Sequence, residues 1–264
     1  MQVHMFWAYG PFSQLETLCA RSFVAQGYPL QIWNYQGLDN SPEGASLRDA
    51  REIWSENRLF TYKNGSYAAF ADLFRYALLN REGGLYVDAD IIAVKGPSFV
   101  PKEPFLVTER VSIRGSRIIR PIKERFSQPK TRINNCVIHK PHPAQGDIID
   151  MAEQFAERYP LDLLEWGDAG PKLLSMLHEH YPQLSYQAMP PEFANPVNWW
   201  SCPAQLLSLG KAIPEDTVFL HCYNETWRRS GIDKNANFPA GSIVSNLSKR
   251  FSAVASPLKS TPSV

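Results

Sequence analysis

Strand-like and helix-like segments alternate from the start of the chain, which predicts an α/β fold around a largely parallel sheet. Two features support this. Residues 3–35 read as one strand–helix–strand unit, and Asp88 and Asp90 end a strand pattern, where open α/β sheets place their ligands. With 264 residues and 44% apolar content, the chain can bury one substantial core without being divided.

Residues 3–8 are strand-like, and residues 13–26 form an amphipathic helix opened by a Ser13/Glu16 capping box and closed by Gly27. Residues 30–35 are strand-like again, and a shorter helix is predicted over 47–56. The helix predicted over 67–81 is better delimited, with Ser66 as N-cap and Gly83-Gly84 as the stop. Within it, Phe70, Leu73, Phe74, Ala77 and Leu78 make one apolar stripe. Asp72 and Arg75 lie one turn apart, almost opposite that stripe, where an ion pair is ordinarily surface decoration. A tight glycine turn into the acidic strand end would instead let the pair face the same crevice.

Along the strand predicted over 85–90, Leu85, Val87 and Ala89 share one side and Tyr86, Asp88 and Asp90 the other. Like charges this close repel unless a cation intervenes, so a divalent ion is the economical expectation. Residues 105–109 read as a strand. Residues 110–131, rich in charge and carrying two prolines, read as an irregular segment or lid. A strand over 135–139, helices over 144–158 and 171–181, and a late strand over 218–221 follow. Residues 252–264 lack periodicity and are expected to be a disordered tail, leaving 1–251 as one domain.

The net charge of +1 gives no basic footprint, which argues against nucleic acid as a partner. No GxGxxG follows the first strand, so a dinucleotide cofactor is not supported. Cys19, Cys136, Cys202 and Cys222 are scattered and form no CxxC unit, so reduced structural thiols are expected. No apolar run approaches the length of a membrane span, and residues 1–9 resemble a strand rather than a signal peptide. A cytoplasmic protein is the expectation. Arg228-Arg229 and Lys249-Arg250 read as solvated charges, although such pairs also suit acceptor phosphate or a peripheral contact with membrane lipid.

Ala71-Asp72-Leu73-Phe74-Arg75-Tyr76, followed by Gly83-Gly84-Leu85-Tyr86-Val87-Asp88-Ala89-Asp90, resembles the DXD-containing sugar-binding region of a glycosyltransferase family. That family includes yeast initiating mannosyltransferases, bacterial capsule and oligosaccharide transferases and, more distantly, clostridial glucosylating toxins. The opening segment from Trp7 to Glu16, Asn134-Asn135-Cys136-Val137-Ile138 with His142-Pro143, Gly170-Pro171, and His221 to Trp227 are similar to further family elements. The resemblance spans about residues 3 to 248, with the central block its specific part.

The resemblance implies a single GT-A type, Rossmann-like domain and a retaining transfer of a hexose from a nucleoside-diphosphate sugar. Mn²⁺ or Mg²⁺ would be the cofactor, a UDP-sugar the donor in preference to a GDP-sugar, and a glycan or lipid-linked hydroxyl the acceptor. Asp90 would bind the metal, and Asp88 would hold ribose, sugar hydroxyls or a metal-bound water. Asp72 and Arg75 would grip the donor sugar. His221, Asn224 and Glu225 are candidates to complete the metal shell, and Trp227 to close over the leaving group. Trp7 is a candidate for base stacking, and Tyr86 lies either near the donor or beneath the sheet edge. Each has a plainer reading in which the aromatic packs in the core and the histidine is a satisfied strand end.

Two other functions fit a DXD. A haloacid-dehalogenase-type phosphatase also carries one at a strand end, but there it lies near the first strand and is followed by Thr or Val, whereas Ile91-Ile92 follow Asp90. The other is a catalytically silent sugar-nucleotide or glycan-binding module, which would bind a donor without turning it over.

Overall fold

The computed structural model describes residues 1–62, 65–112, 130–184 and 186–253. Strands β1 (Val3–Phe6), β2 (Leu30–Asn34), β3 (Ser46–Asp49) and β4 (Gly84–Val87) join β6 (Phe105–Arg110), β7 (Thr131–Lys140) and β8 (Gln187–Met189) in one seven-stranded sheet. Its order is β3-β2-β1-β4-β7-β6-β8. The β3-β2, β2-β1, β1-β4 and β6-β8 pairs are parallel, and only β7 runs against its neighbours. The sheet is therefore mostly parallel, and helices cover both faces, as expected of a GT-A type α/β fold.

Period-two alternation feeds both sides of the sheet. Val3, Met5, Leu30, Ile32, Leu85 and Val87 enter one apolar cluster, while Phe6, Trp33 and Tyr86 enter the other. Helix α1 (Gln14–Ala25) covers the first face and opens with the Ser13/Glu16 capping box. Helix α2 (Ala68–Glu82) covers the second, packed against α3 (Ile148–Arg158) and near α4 (Leu173–His180). The predicted stripe of α2 is buried, but so are Asp72, Arg75 and Tyr76, because the sheet end and the α4 approach wrap around it. Ser66 acts one residue outside the expected cap, its Oγ accepting from Ala68 N–H at 3.3 Å, with Tyr67 as N-cap.

Two sequence expectations are corrected. The helix expected over 47–56 is edge strand β3 followed by short 3₁₀ turns, in which Asp49 caps Ala50–Glu52. Leu47 is 43% exposed there, so it supplies no buried stripe, and pairing with β2 determines its structure. The single strand expected over 85–90 is two strands: β4 stops at Val87, and β5 (Ile91–Ala93) starts after a turn in which Ile91 N–H donates to Asp88 C=O at 3.1 Å. Strand β5 leaves the main sheet and pairs antiparallel with β9 (Phe219–His221).

The glycine pair before β4 is sterically required. Gly84 has φ +90°, and a Cβ there would sit 2.7 Å from the Gln2 carbonyl oxygen on β1. Three short helices follow, α5 (Pro191–Ala194), α6 (Ala204–Leu207) and α7 (Asn224–Ser230), and then α8 (Ile243–Ala253). The expected tail is helical at its first two residues. Its remainder, 254–264, and most of the expected lid, 113–129, lie outside the described residues. All four cysteines are buried and unpaired. Among the described residues no helix is long and apolar enough to cross a membrane.

Candidate active site

The turn between β4 and β5 brings Asp88 and Asp90 together, rather than the side-chain alternation of one strand. Asp88 N–H donates to Cys136 C=O on β7 at 2.9 Å, which anchors the turn to the sheet. The β5-β9 register sets His221 opposite Ile91, and Cys222 N–H donates to Asp90 C=O at 2.9 Å. His221 Nε2 thereby lies 3.4 Å from Asp90 Oδ2. Asp88, Asp90 and His221 each present one ligand-capable atom, and these lie within 4.8 Å of one another.

On the sheet side stands Arg75, 3% exposed. Its Nη2 lies 3.0 Å from Asp72 Oδ1 and 2.9 Å from Asp88 Oδ1, its Nε donates to Ala71 C=O at 3.2 Å, and its Nη1 donates to Asn135 C=O. Asp72 Oδ1 also accepts from Asn135 Nδ2 at 2.8 Å. The Asp72–Arg75 pair is thus buried at the acidic centre, not solvated. Gly170 explains the Gly-Pro element: a Cβ there would lie 2.6 Å from Asp72 Oδ2 and 2.7 Å from Asn135 Nδ2. The expected helix start is instead a π-turn over Asp168–Lys172, with Gly170 in a non-helical conformation that lets the chain close over Asp72.

Charge in this cluster is unbalanced. Asp72, Asp88 and Asp90 face one guanidinium and His221, whose imidazole burial pulls down but Cys136 and Asp90 hold well above its usual range, so three carboxylates face two cationic groups. Burial, reinforced by Asp90, pushes the Asp88 carboxyl up to about 7 despite Arg75. Burial also raises Asp72, against the pull of Arg75 and Asn135. Asp90 is held below the usual carboxylate range: burial acts the other way, but His221 and the Asn224 N–H outweigh it. Asp88 is therefore the acid of the pair that takes up a proton first as pH falls below about 7, and a divalent cation held between the two would displace it.

The donor set suits such a cation. Two carboxylates and an imidazole are ordinary ligands for Mn²⁺, and the buried surplus of negative charge is what a divalent ion neutralises. The imidazole is also held by a hydrogen bond from its other nitrogen. His221 Nδ1 is 2.9 Å from Asn195 Oδ1, and Asn195 Nδ2 donates to Thr108 C=O at 3.0 Å, which fixes the amide orientation and leaves Nε2 toward Asp90. Tyr223 stacks on the His221 ring at 3.8 Å. At φ +53° it is a non-glycine residue in left-handed backbone, and this bend aims Asn224 N–H at Asp90 Oδ2, 2.6 Å away.

These groups open into a cavity of about 800 Å³. Trp7 lines it beside Asp72, Arg75, Asp88, Asp90 and His221, half-buried, with its Nε1 donating to Gly10 C=O at 3.0 Å. Other candidates stand differently. Asn224 and Glu225 line the cavity, but the Asn224 side chain accepts from Lys234 Nζ at 3.1 Å and Glu225 is held by Arg228 and Arg229. The contribution of Asn224 at the acidic centre is its backbone N–H. Trp227 is corrected: it is fully buried in the core beside α8, with Nε1 donating to Cys222 C=O at 2.8 Å, so its own indole is not free to close over a ligand. Tyr86 does not stand at the donor cavity and takes its other reading, beneath the sheet edge. It is 1% exposed and carries the Arg75 guanidinium 4.8 Å above its ring.

Sequence reasoning missed Asn195, Tyr223, Glu109 and Arg132, all at or directly behind the cavity wall. Tyr223 lies inside the His221 to Trp227 element beside a candidate ligand, whereas the other three sit in no motif and reach the site only through strand pairing or a distant loop.

Residues 21–106 match the family described as "Glycosyltransferase sugar-binding region containing DXD motif", about a third of the chain and narrower than the resemblance drawn from sequence. No curated protein matches the chain in sequence. Among solved structures, PaToxG glycosyltransferase is 21% identical, with 69% of each chain covered and a TM-score of 0.42. The glycosyltransferase GlyE of Streptococcus pneumoniae TIGR4 is 16% identical, with 98% of this chain and 66% of that one covered and a TM-score of 0.49. The bifunctional WbbM glycosyltransferase is 9% identical, with 94% and 51% covered and a TM-score of 0.41. The chain thus spans just under two thirds of GlyE and about half of WbbM.

Proposed function

We propose that this glycosyltransferase, which carries the DXD-containing sugar-binding region, moves a hexose from a nucleoside-diphosphate sugar to a hydroxyl of a glycan or lipid-linked acceptor. The donor is a UDP-sugar in preference to a GDP-sugar, Mn²⁺ or Mg²⁺ is required, and anomeric configuration is retained. The observation that carries the reading is the convergence of Asp88, Asp90 and His221 with the buried Asp72–Arg75 pair in one cavity.

Asp90 and His221, with Asp88, would hold the cation. Bound there, it supplies positive charge to the diphosphate leaving group as the glycosidic bond breaks. Asp72, fixed by Arg75 and Asn135, presents a carboxylate oxygen to donor-sugar hydroxyls. Trp7 offers an aromatic face to the base from the β1 end of the cavity. Attack from the face the leaving group departs, with the diphosphate assisting the acceptor's deprotonation, is the course that the family resemblance implies.

The test is a panel of nucleotide sugars with Mn²⁺, scored for slow donor hydrolysis. Consumption of a UDP-hexose that stops on chelation is the expected result. Failure with every donor, or turnover indifferent to chelator, would count against the reading. Phosphate release from a simple phosphomonoester would point to a phosphatase, and donor binding without turnover to a silent module.

Gly170→Ala gives a separate check on Asp72. Its methyl group would displace the carboxylate from Asn135, so donor KM is expected to rise on the order of tenfold, with a stability loss of about 1–3 kcal/mol from overpacking. Steady-state kinetics and denaturant titration measure the two effects.

A further inference from the structure

Glu109 is a buried carboxylate in the cavity wall that the proposed chemistry does not use. It lies in β6, is 3% exposed, and faces its register partner Arg132 at the start of β7, which also lines the cavity. Both close contacts from Arg132 fall on one oxygen: Nε and Nη2 lie 2.7 and 2.6 Å from Glu109 Oε1.

The other oxygen is poorly served. The Tyr223 hydroxyl is 3.5 Å from Oε2, beyond the usual O–H···O length, and the same hydroxyl is 3.1 Å from Asn195 Oδ1. A single phenolic proton goes to the nearer acceptor, which leaves Oε2 without a close donor among the described residues. A buried carboxylate oxygen in that state is costly unless something else donates to it. Arg132 is 42% exposed and has further N–H groups beyond those on Oε1.

Together, a carboxylate oxygen accepts from a hydroxyl group and a neighbouring guanidinium N–H donates to the same hydroxyl. A phosphate needs donors only and is repelled by the carboxylate, so the pair is suited to carbohydrate rather than to diphosphate. We infer that Glu109, braced by Arg132, hydrogen-bonds a carbohydrate hydroxyl inside the cavity, belonging either to the transferred hexose or to the acceptor. This rests on the glycosyltransferase reading of the same cavity.

The test compares wild type with Glu109→Ala and Glu109→Gln, using the UDP-hexose that the donor panel identifies, an active hexoside acceptor, and the monodeoxy analogues of both sugars. Glu109→Ala is expected to raise the KM of one substrate on the order of tenfold to a hundredfold. With the analogue lacking the recognised hydroxyl, wild type already shows that loss and the variant adds little. A purely structural pair would not produce such non-additivity. Donor hydrolysis without acceptor separates the two sources: if it weakens with transfer, the hydroxyl is on the hexose; if it is intact while acceptor KM rises, it is on the acceptor. Should Glu109→Ala unfold, Glu109→Gln, which keeps the side-chain size, carries the comparison. Unchanged KM values in a folded variant, or losses additive for every deoxy analogue, overturn the inference alone. A wild type that turns over no nucleotide sugar overturns the functional reading beneath it.

Discussion

Asp90→Asn is expected to lower metal-supported sugar transfer about a thousandfold while leaving the fold intact. The amide can still accept the Asn224 N–H that Asp90 Oδ2 receives at 2.6 Å, so the turn into α7 keeps its backbone anchor. What it loses is the charge. Asp90 is the acid held ionised, whereas Asp88 is pushed up to about 7, so neutralising Asp90 removes the principal anionic ligand from the group with His221. Mn²⁺ binding followed by thermal shift or spin resonance supplies a readout independent of turnover. Wild type is expected to be stabilised by Mn²⁺ and the variant not. Near-normal turnover, or an undiminished Mn²⁺ effect, would falsify the assigned site.

Where local pattern carried the information, the sequence was a good guide. The Ser13/Glu16 capping box, the apolar stripe of α2 and the glycine stop before β4 are all patterns among residues close in sequence, and they formed as the spacing indicates. The acidic centre was legible through a family pattern, but its geometry was not. Alternation along one strand seemed to explain the pairing of Asp88 with Asp90, yet the strand ends at Val87, before both, and a turn gathers them instead. His221 joins them through the β5-β9 pairing, a contact across some 130 residues that no local periodicity encodes. Trp227 illustrates the converse. A tryptophan near a site in sequence suggested a covering role, but its position on α7 turns the indole toward α8 and the core. Asn195 and Glu109 were invisible because a lone polar residue acquires meaning only from the groups folded against it.

Arg75→Met is expected to be the most destabilising single change at the site, by about 3–5 kcal/mol, because it removes the buried cation shared by the buried Asp72 and the half-buried Asp88 carboxylates. The side chain is sandwiched between α2 and the sheet end above the Tyr86 ring, so water cannot readily replace it. Arg75→Lys should recover only part of the loss, since an ammonium does not reproduce the planar fork that reaches Asp72, Asp88 and the Asn135 carbonyl together. The pH dependence distinguishes this mechanism from simple loss of packing. Asp88 already has a folded-state value near 7 against 3.8 for the free side chain, and Asp72 is raised too. For acids raised on folding, the unfolded chain gives up its protons first, so stability is fully present below about pH 3.8 and is lost as pH rises toward the folded value. Without Arg75 both acids move further up, so the penalty of Arg75→Met should be small near pH 4 and grow through neutrality. Denaturant titrations across that range measure it, and Arg75→Met combined with Asp72→Asn should regain part of the neutral-pH loss. A penalty independent of pH would mean that Arg75 contributes through its packing and not through the charge it balances.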